Sequence, residues 1–150
     1  MTNSKFDFDV IVIGAGYGGF DAAKHAAENG LKVAIVESGD MGGTCVNKGC
    51  VPSKALLAAS GKVREIANYE HLEKFGIHTS PVRFERSKIS EHANNLVLNI
   101  RENVTKTLTR IGVKIIRGHG RIESHQKVGV RNKNGVDQVF SCTNIIIATG

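Results

Sequence analysis

Asp9-Val10-Ile11-Val12-Ile13-Gly14-Ala15-Gly16-Tyr17-Gly18-Gly19-Phe20 decides the fold of this chain. Asp7 to Ile13 alternates briefly and then runs apolar, as a strand buried on both faces of a parallel sheet does. Gly18 to Asn29 then places Phe20, Ala23, Ala26 and Ala27 at helical spacing, and Gly30 suits the left-handed position that stops a helix. The glycines Gly14, Gly16 and Gly19 fall between these two elements. In that setting they read as a dinucleotide fingerprint: the first makes the turn, the second lets a pyrophosphate approach, and the third packs helix on strand. The helix amino terminus then holds the anion. Away from a strand and a helix the same glycines would signify only a tight loop.

Working outward, Leu31 to Glu37 supplies a second apolar strand, so residues 7–37 form one right-handed crossover unit. Glu37 lies eighteen residues past Gly19 and ends that strand. A carboxylate there accepts hydrogen bonds from an adenosine ribose and repels a ribose 2′-phosphate, which favours FAD or NAD over NADP. The alternative is a solvated acid at a strand end.

Residues 38–50 read as a Gly-rich connection. Pro52 suits a first helical turn, and Ala55, Leu56, Ala59, Val63, Ile66 and Ala67 make the apolar face of a second helix running to Tyr69. Residues 70–87, with Gly76 and Ser80-Pro81, read as loop. Ile89, Ala93, Leu96, Val97, Ile100, Val104, Leu108 and Ile111 mark a long third helix stopped by Gly112. Val113 to Arg117 is a strand, residues 121–142 form a small antiparallel meander with a two-residue turn at Asn134-Gly135, and Asn144 to Gly150 is a further buried strand. The expected class is α/β: a Rossmann-like parallel sheet with an antiparallel β-meander. The last strand ends where its carboxyl end would open onto a ligand, so the chain reads as truncated in mid-domain.

Composition narrows the function classes. With 150 residues, 41% hydrophobic, 23% charged and two Pro, the chain has about one domain's length and a globular balance. The longest apolar runs, Val10 to Ile13 and Ile145 to Ala148, are far too short to span a bilayer, and Met1-Thr2-Asn3-Ser4-Lys5 leads into no apolar signal segment. A soluble, non-secreted protein without a membrane partner is expected. The net charge of +6 is uneven: residues 1–100 carry 11 charges of each sign, and residues 101–150 carry 9 cations against 3 acids. That basic third has one aromatic, Phe140, and so no stacking platform for nucleic acid; a solvated cationic face is the expected reading.

Three cysteines are an odd number, which argues against a disulfide framework. Cys45 and Cys50 enclose Val46-Asn47-Lys48-Gly49, a spacing open to a disulfide or to half a zinc site. Zinc needs two further ligands. Cys142 lies far along the chain in a predicted strand, and none of the six His falls in a paired ligand spacing, so no metal site is expected. Two inert thiols are the bland alternative. Against it stands Cys50 at the start of the helix containing Pro52, where free N–H groups and the helix dipole favour a thiolate. Lys54, four residues on, shares that helical face, although most lysines are simply on the surface. Cys142 between Ser141 and Thr143 reads as a small core residue.

The run Gly42-Gly43-Thr44-Cys45-Val46-Asn47-Lys48-Gly49-Cys50-Val51-Pro52-Ser53-Lys54 resembles the active-site motif of the pyridine nucleotide-disulfide oxidoreductases, flavoproteins that include dihydrolipoamide dehydrogenase, glutathione reductase and mercuric reductase. Ser53-Lys54 followed by Ala55-Leu56-Leu57 is most similar to the dihydrolipoamide dehydrogenase branch, since glutathione reductases usually carry a second lysine where Ser53 stands. The continuation to Tyr69 is most similar to the plastid and cyanobacterial form. Gly118-His119-Gly120 and Thr143 to Gly150, which matches a second FAD motif, extend the resemblance over essentially the whole chain.

The resemblance implies that residues 1–150 are the N-terminal part of an FAD-binding domain, with NAD-binding and dimer-interface domains beyond it. It implies a redox disulfide in which Cys45 is the interchange thiol and Cys50 the charge-transfer thiolate. It implies FAD contacts at Gly14, Gly16, Gly19, Glu37, Gly43, Thr44, Lys54, His119, Gly120, Thr149 and Gly150, with Lys54 near the isoalloxazine ring, His119 and Gly120 at adenine, and Gly150 near pyrophosphate and ribitol. It further implies oxidation of dihydrolipoamide on a lipoyl carrier domain of a 2-oxo acid dehydrogenase complex, electrons passing through FAD to NAD⁺. A homodimer is implied, its acid–base His–Glu pair supplied from the partner's interface domain; none of the six His here is assigned that task. The implied location is a bacterial cytoplasm or the plastid stroma. A mercuric or glutathione reductase-like enzyme, or a dinucleotide-binding module without redox function, remains the alternative.

Overall fold

The computed structural model describes residues 5–150. Met1 to Ser4, part of the segment read as carrying no export signal, lie outside the described residues. The elements run β1 (Phe8–Ile13), α1 (Tyr17–Glu28), β2 (Val33–Glu37), α2 (Gly43–Lys48), α3 (Cys50–Ile66), α4 (Tyr69–Glu73), α5 (Arg86–Arg110), β3 (Lys114–Arg117), β4 (His119–Ser124), β5 (Lys127–Arg131) and β6 (Asp137–Ile147). They build one six-stranded sheet in the order β3-β2-β1-β6-β5-β4. The first four strands in that order are parallel, and β6, β5 and β4 pair antiparallel. The α/β class with a parallel sheet and a meander is therefore the observed one.

The apolar runs of β1 and β2 are uninterrupted because both faces of the parallel sheet are covered. On one face Val10, Val12, Val33 and Ile35 pack with Ala23 of α1 and Leu108 of α5. On the other, Ile11, Ile13, Val36 and Ile116 meet Val128 and Val130 of β5. The molecule is thus layered as helices, parallel sheet and meander. The carboxyl ends of β1, β2 and β6 open at one edge, where the loops after them gather.

Four local expectations are corrected. The strand over 144–150 is not separate from the meander: β6 is continuous, its residues 137–141 pairing with β5 and its residues from Cys142 onward with β1. Asp7 holds the changeover point, its carboxylate accepting the Ser141 N–H at 2.8 Å and the Ser141 hydroxyl at 2.7 Å, so no turn is needed there.

The turn at Asn134-Gly135 is not a two-residue one. Asn132 N–H bonds to Val136 O at 3.0 Å across three loop residues, Gly135 alone has positive φ (+77°), and Asn132 Oδ1 accepts the N–H groups of Asn134 and Val136. With its side chain filling the loop, Asn132 favours a type I turn closed by a left-handed glycine.

The connection over 38–50 contains α2, and the helix after it begins at Cys50 and ends at Ile66. The reach to Tyr69 was too long because Asn68 interrupts the helix and starts the short α4 inside the segment read as loop.

Candidate active site

The fingerprint loop is organised by close backbone approach. Gly14 has φ +104°, and a Cβ there would lie 2.3 Å from Ala148 O; a Cβ on Gly19 would lie 1.9 Å from Gly14 O. These two glycines are required by the protein's own packing of α1 on β1 and β6. Gly16 differs, since a Cβ there would meet only the Gly43 Cα, at 3.9 Å. Its bare backbone leaves room at the α1 amino terminus, where no side chain caps the helix and no acid occupies the first turn. The orphan N–H groups of that turn face an open approach, which fits a pyrophosphate.

Glu37 does more than the sequence indicated. Its Oε2 accepts the Ala15 N–H at 2.7 Å and its Oε1 the Gly39 N–H at 2.7 Å, tying the fingerprint loop to the loop after β2. A carboxylate offers about four acceptor positions, so two remain for ribose hydroxyls. Glu37 also lines a cleft of about 220 Å³ with Gly14, Ser38, His119, Gly120 and Thr149. Five of the sequence-designated residues thus share one cavity at the carboxyl edge of the parallel strands. Gly120 fits there because a Cβ would press on Ile13 and Val36 at 3.0 and 3.1 Å. Gly150 is exposed with φ +85°.

The cysteine loop is stitched to this cleft. Gly42 N–H donates to Ala15 O at 2.8 Å, and Gly43, at φ +62°, packs so tightly that a Cβ would stand 2.8 Å from Gly16 Cα. The double glycine therefore serves to bring α2 against the fingerprint loop. Val46 anchors α2 in the interior, Thr44 is exposed, and Cys45 is half-buried.

Cys50 opens α3, whose amino terminus has neither a side-chain cap nor an acid in its first turn. The two cysteines are neighbours. Hydrogen bonding of the Cys45 thiol to the Cys50 side chain, with burial and the nearby Cys50 charge, pushes the Cys45 thiol above its usual range; a hydrogen bond from the Cys50 backbone N–H and, after it, the exposed Lys54 ammonium pull the other way. Cys45 on α2 thus stands beside Cys50, the first residue of α3.

Cys142 is fully buried, and desolvation pushes its thiol up. In the reduced native protein iodoacetamide is expected to label Cys45 and Cys50 and to spare Cys142 until denaturant is added. Peptide mapping checks this; native labelling of Cys142 would contradict its placement in the core.

Asn47 and Arg101 escaped the sequence reading. Asn47 lies between the cysteines and donates its amide to Gly43 O at 2.8 Å and Met41 O at 3.2 Å, while its Oδ1 accepts from Arg101 Nε of α5. The Arg101 Nη2 reaches the Asp40 carboxylate at 3.0 Å. The signal was present: Arg101 stands at the helical spacing of Ala93, Val97, Val104 and Leu108, a cation inside an apolar stripe. Among the described residues no cluster of three or more His, Cys, Asp or Glu could hold a metal ion, and no helix is long and apolar enough to cross a membrane.

A glycine fingerprint loop, the Glu37 carboxylate and a neighbouring pair of thiols gather at the edge of one sheet, the arrangement of the dinucleotide-binding disulfide oxidoreductase class. The family model for pyridine nucleotide-disulphide oxidoreductases matches residues 8–150, and the chain belongs to that family. Its relatives include a dihydrolipoyl dehydrogenase of Synechocystis sp., 49% identical over 148 residues, covering 99% of this chain and 31% of the relative. Dihydrolipoyl dehydrogenase 2, chloroplastic, of Arabidopsis thaliana is 49% identical over 148 residues, covering 99% of this chain and 25% of its own. A dihydrolipoyl dehydrogenase of Chlorobaculum parvum is 36% identical over 148 residues, covering 99% and 31%. The chain thus spans between a quarter and a third of the length of these relatives. Membership implies use of FAD and a nicotinamide dinucleotide.

Proposed function

We propose that the full-length protein is a dihydrolipoamide dehydrogenase, and that residues 1–150 are the N-terminal part of its FAD-binding domain, with NAD-binding and dimer-interface domains in the remainder. The observation that carries this reading is the contact of Gly43 with Gly16, which joins a vicinal thiol pair to a dinucleotide loop. The names of the relatives point to the same substrate.

The residues fit FAD. Gly14, Gly16 and Gly19 with the α1 amino terminus would hold its pyrophosphate, Glu37 its ribose, and His119 and Gly120 its adenine. Gly43, Thr44, Lys54, Thr149 and Gly150 would line the path toward the flavin ring. Bound FAD supplies a two-electron relay from the thiols to NAD⁺.

The chain's own contribution is thiol–disulfide exchange. In the oxidised protein a disulfide joins Cys45 and Cys50. A thiolate of dihydrolipoamide attacks Cys45 Sγ, forming a mixed disulfide as the Cys45–Cys50 bond breaks and Cys50 departs as a thiolate. Stabilisation of that leaving group falls to the α3 amino terminus. The second substrate sulfur, once deprotonated, displaces Cys45, closing lipoamide and returning Cys45 to its protonated state. The substrate has lost two electrons and two protons; the protein pair holds the electrons and one proton, and the other proton reaches solvent. With NAD⁺ as final acceptor the disulfide is restored.

The proposed partners are the lipoyl carrier domain of a 2-oxo acid dehydrogenase complex and a second copy of the chain. The proposed compartment is a bacterial cytoplasm or the plastid stroma, in keeping with the cyanobacterial and chloroplastic relatives. Steady-state assay of the full-length protein tests the substrate: one NADH is expected per dihydrolipoamide oxidised. Turnover with glutathione disulfide or Hg²⁺ but not with dihydrolipoamide would assign a different reductase.

A further inference from the structure

We propose that Arg101 is a positioning residue for the thiol pair, its guanidinium fork fixing α2, which carries Cys45, relative to α3, which carries Cys50. The inference rests on reading these cysteines as a redox pair. It goes beyond that reading by assigning their mutual geometry to a side chain on a distant helix.

α2 has only six residues, too few for a helix that stands on its own propensity, and no side chain caps its amino end. Its position is therefore set from outside. At the front, Gly42 N–H bonds to Ala15 O and Gly43 rests on Gly16. Toward the rear the polar anchor is Asn47, whose amide orientation is fixed by its own bonds to Gly43 O and Met41 O, leaving Oδ1 for Arg101 Nε. Cys45 lies between these two anchors.

The same helix that supplies Arg101 also packs against α3. α5 is thus a common support: its surface seats the helix bearing Cys50, and its Arg101 holds the segment bearing Cys45. The second prong of the fork, to Asp40 at 3.0 Å, secures the loop leading into α2. The Arg101 side chain is 29% exposed, so these charge-assisted bonds are partly shielded from water. A planar fork answers two acceptors at once, which an ammonium at one point does not. Without it the rear of α2 can rock about Gly42 and Gly43. Disulfide closure depends steeply on the separation and direction of the two Cβ atoms, so the thiol–disulfide equilibrium and the exchange rate should respond.

The test uses the full-length flavin-loaded protein with Arg101→Met and Arg101→Lys. Three quantities are read: the two-electron midpoint of the thiol pair, the single-turnover rate of reduction by dihydrolipoamide, and the thermal midpoint. Arg101→Met is expected to slow reduction by roughly 10- to 100-fold, the scale of an ångström-size misplacement. It should also move the thiol–disulfide equilibrium about tenfold, which is about 30 mV for a two-electron couple. Arg101→Lys should recover only part of both, since it keeps the charge but not the fork. If Arg101→Met does not fold, the lysine variant carries the test alone.

Wild-type midpoint and rate in either variant that folds, within twofold, would overturn the proposal. So would a lowered thermal midpoint with unchanged redox equilibrium, since Arg101 would then be merely structural. Wild-type protein that neither forms nor reduces a Cys45–Cys50 disulfide would overturn the redox reading itself, a separate failure.

Discussion

Cys50→Ser in the full-length protein is expected to abolish the long-wavelength absorption of a thiolate beside flavin, while Cys45→Ser retains it. Either change should lower turnover with dihydrolipoamide by about 10⁴-fold or more, the scale on which enzymes lose rate when a nucleophile acting as part of a unit is removed. The asymmetry follows from local structure. Cys50 is the first residue of α3, whose N-cap Gly49 offers no side-chain cap and whose first turn holds no acid. A helix amino terminus is a position at which a thiolate is favoured in general. The Cys45 thiol is pushed above its usual range by its hydrogen bond to Cys50 and by burial. On the proposed function the two thiols divide the work, Cys45 forming the mixed disulfide and Cys50 carrying the charge. Stopped-flow and equilibrium spectra of the two variants check the assignment; a band that survives in Cys50→Ser and vanishes in Cys45→Ser would reverse it.

Gly19→Ala should be strongly damaging to the fold, while Gly18→Ala, one residue earlier, should be tolerated. A Cβ on Gly19 would stand 1.9 Å from Gly14 O, 3.0 Å from Gly14 C and 3.3 Å from the Ala148 side chain. The nearest obstacles are backbone, which no rotamer change relieves, so α1 must separate from the turn between β1 and itself. The cost is about 3 kcal/mol, the upper end of ordinary overpacking, and flavin should be lost with it because the same turn would form the phosphate cradle of the proposed FAD site. At Gly18 nothing lies within 4 Å, and alanine in a helix is worth up to about 1 kcal/mol over glycine. Chemical denaturation together with flavin content reads the contrast. Equal effects at the two positions would mean that the close packing of α1 on β1 does not govern this loop.

Much of this architecture was legible because its chemistry is local. Apolar β1 and β2, the three fingerprint glycines and a cysteine at a helix start each declare themselves within a few residues. What escaped depends on residues far apart in sequence. Gly42 and Gly43 read as part of a Gly-rich connection, yet they bind Ala15 and touch Gly16, and those contacts allow a short helix to form in a Gly-rich stretch of poor intrinsic propensity. β6 read as the end of a meander at 142 and a separate strand from 144; at Ser141 and Cys142 the one strand exchanges one partner for another, with Asp7 satisfying Ser141. Asn134-Gly135 read as a two-residue turn because the dipeptide favours it, but Asn132, two residues earlier, filled the loop with its side chain. Arg101 was visible as a cation in an apolar stripe, and only the packing of α5 revealed that Asn47 and Asp40 receive it.

An anaerobic reductive titration of the purified full-length protein, followed by absorption and by thiol count, bears most directly on the claim that Cys45 and Cys50 form a redox disulfide beside FAD. The oxidised protein should show the bands of bound flavin. After two electrons a new long-wavelength band should appear, together with two newly reactive thiols that map to Cys45 and Cys50. A colourless protein, or a flavoprotein whose first two electrons bleach the flavin without releasing those thiols, would contradict it.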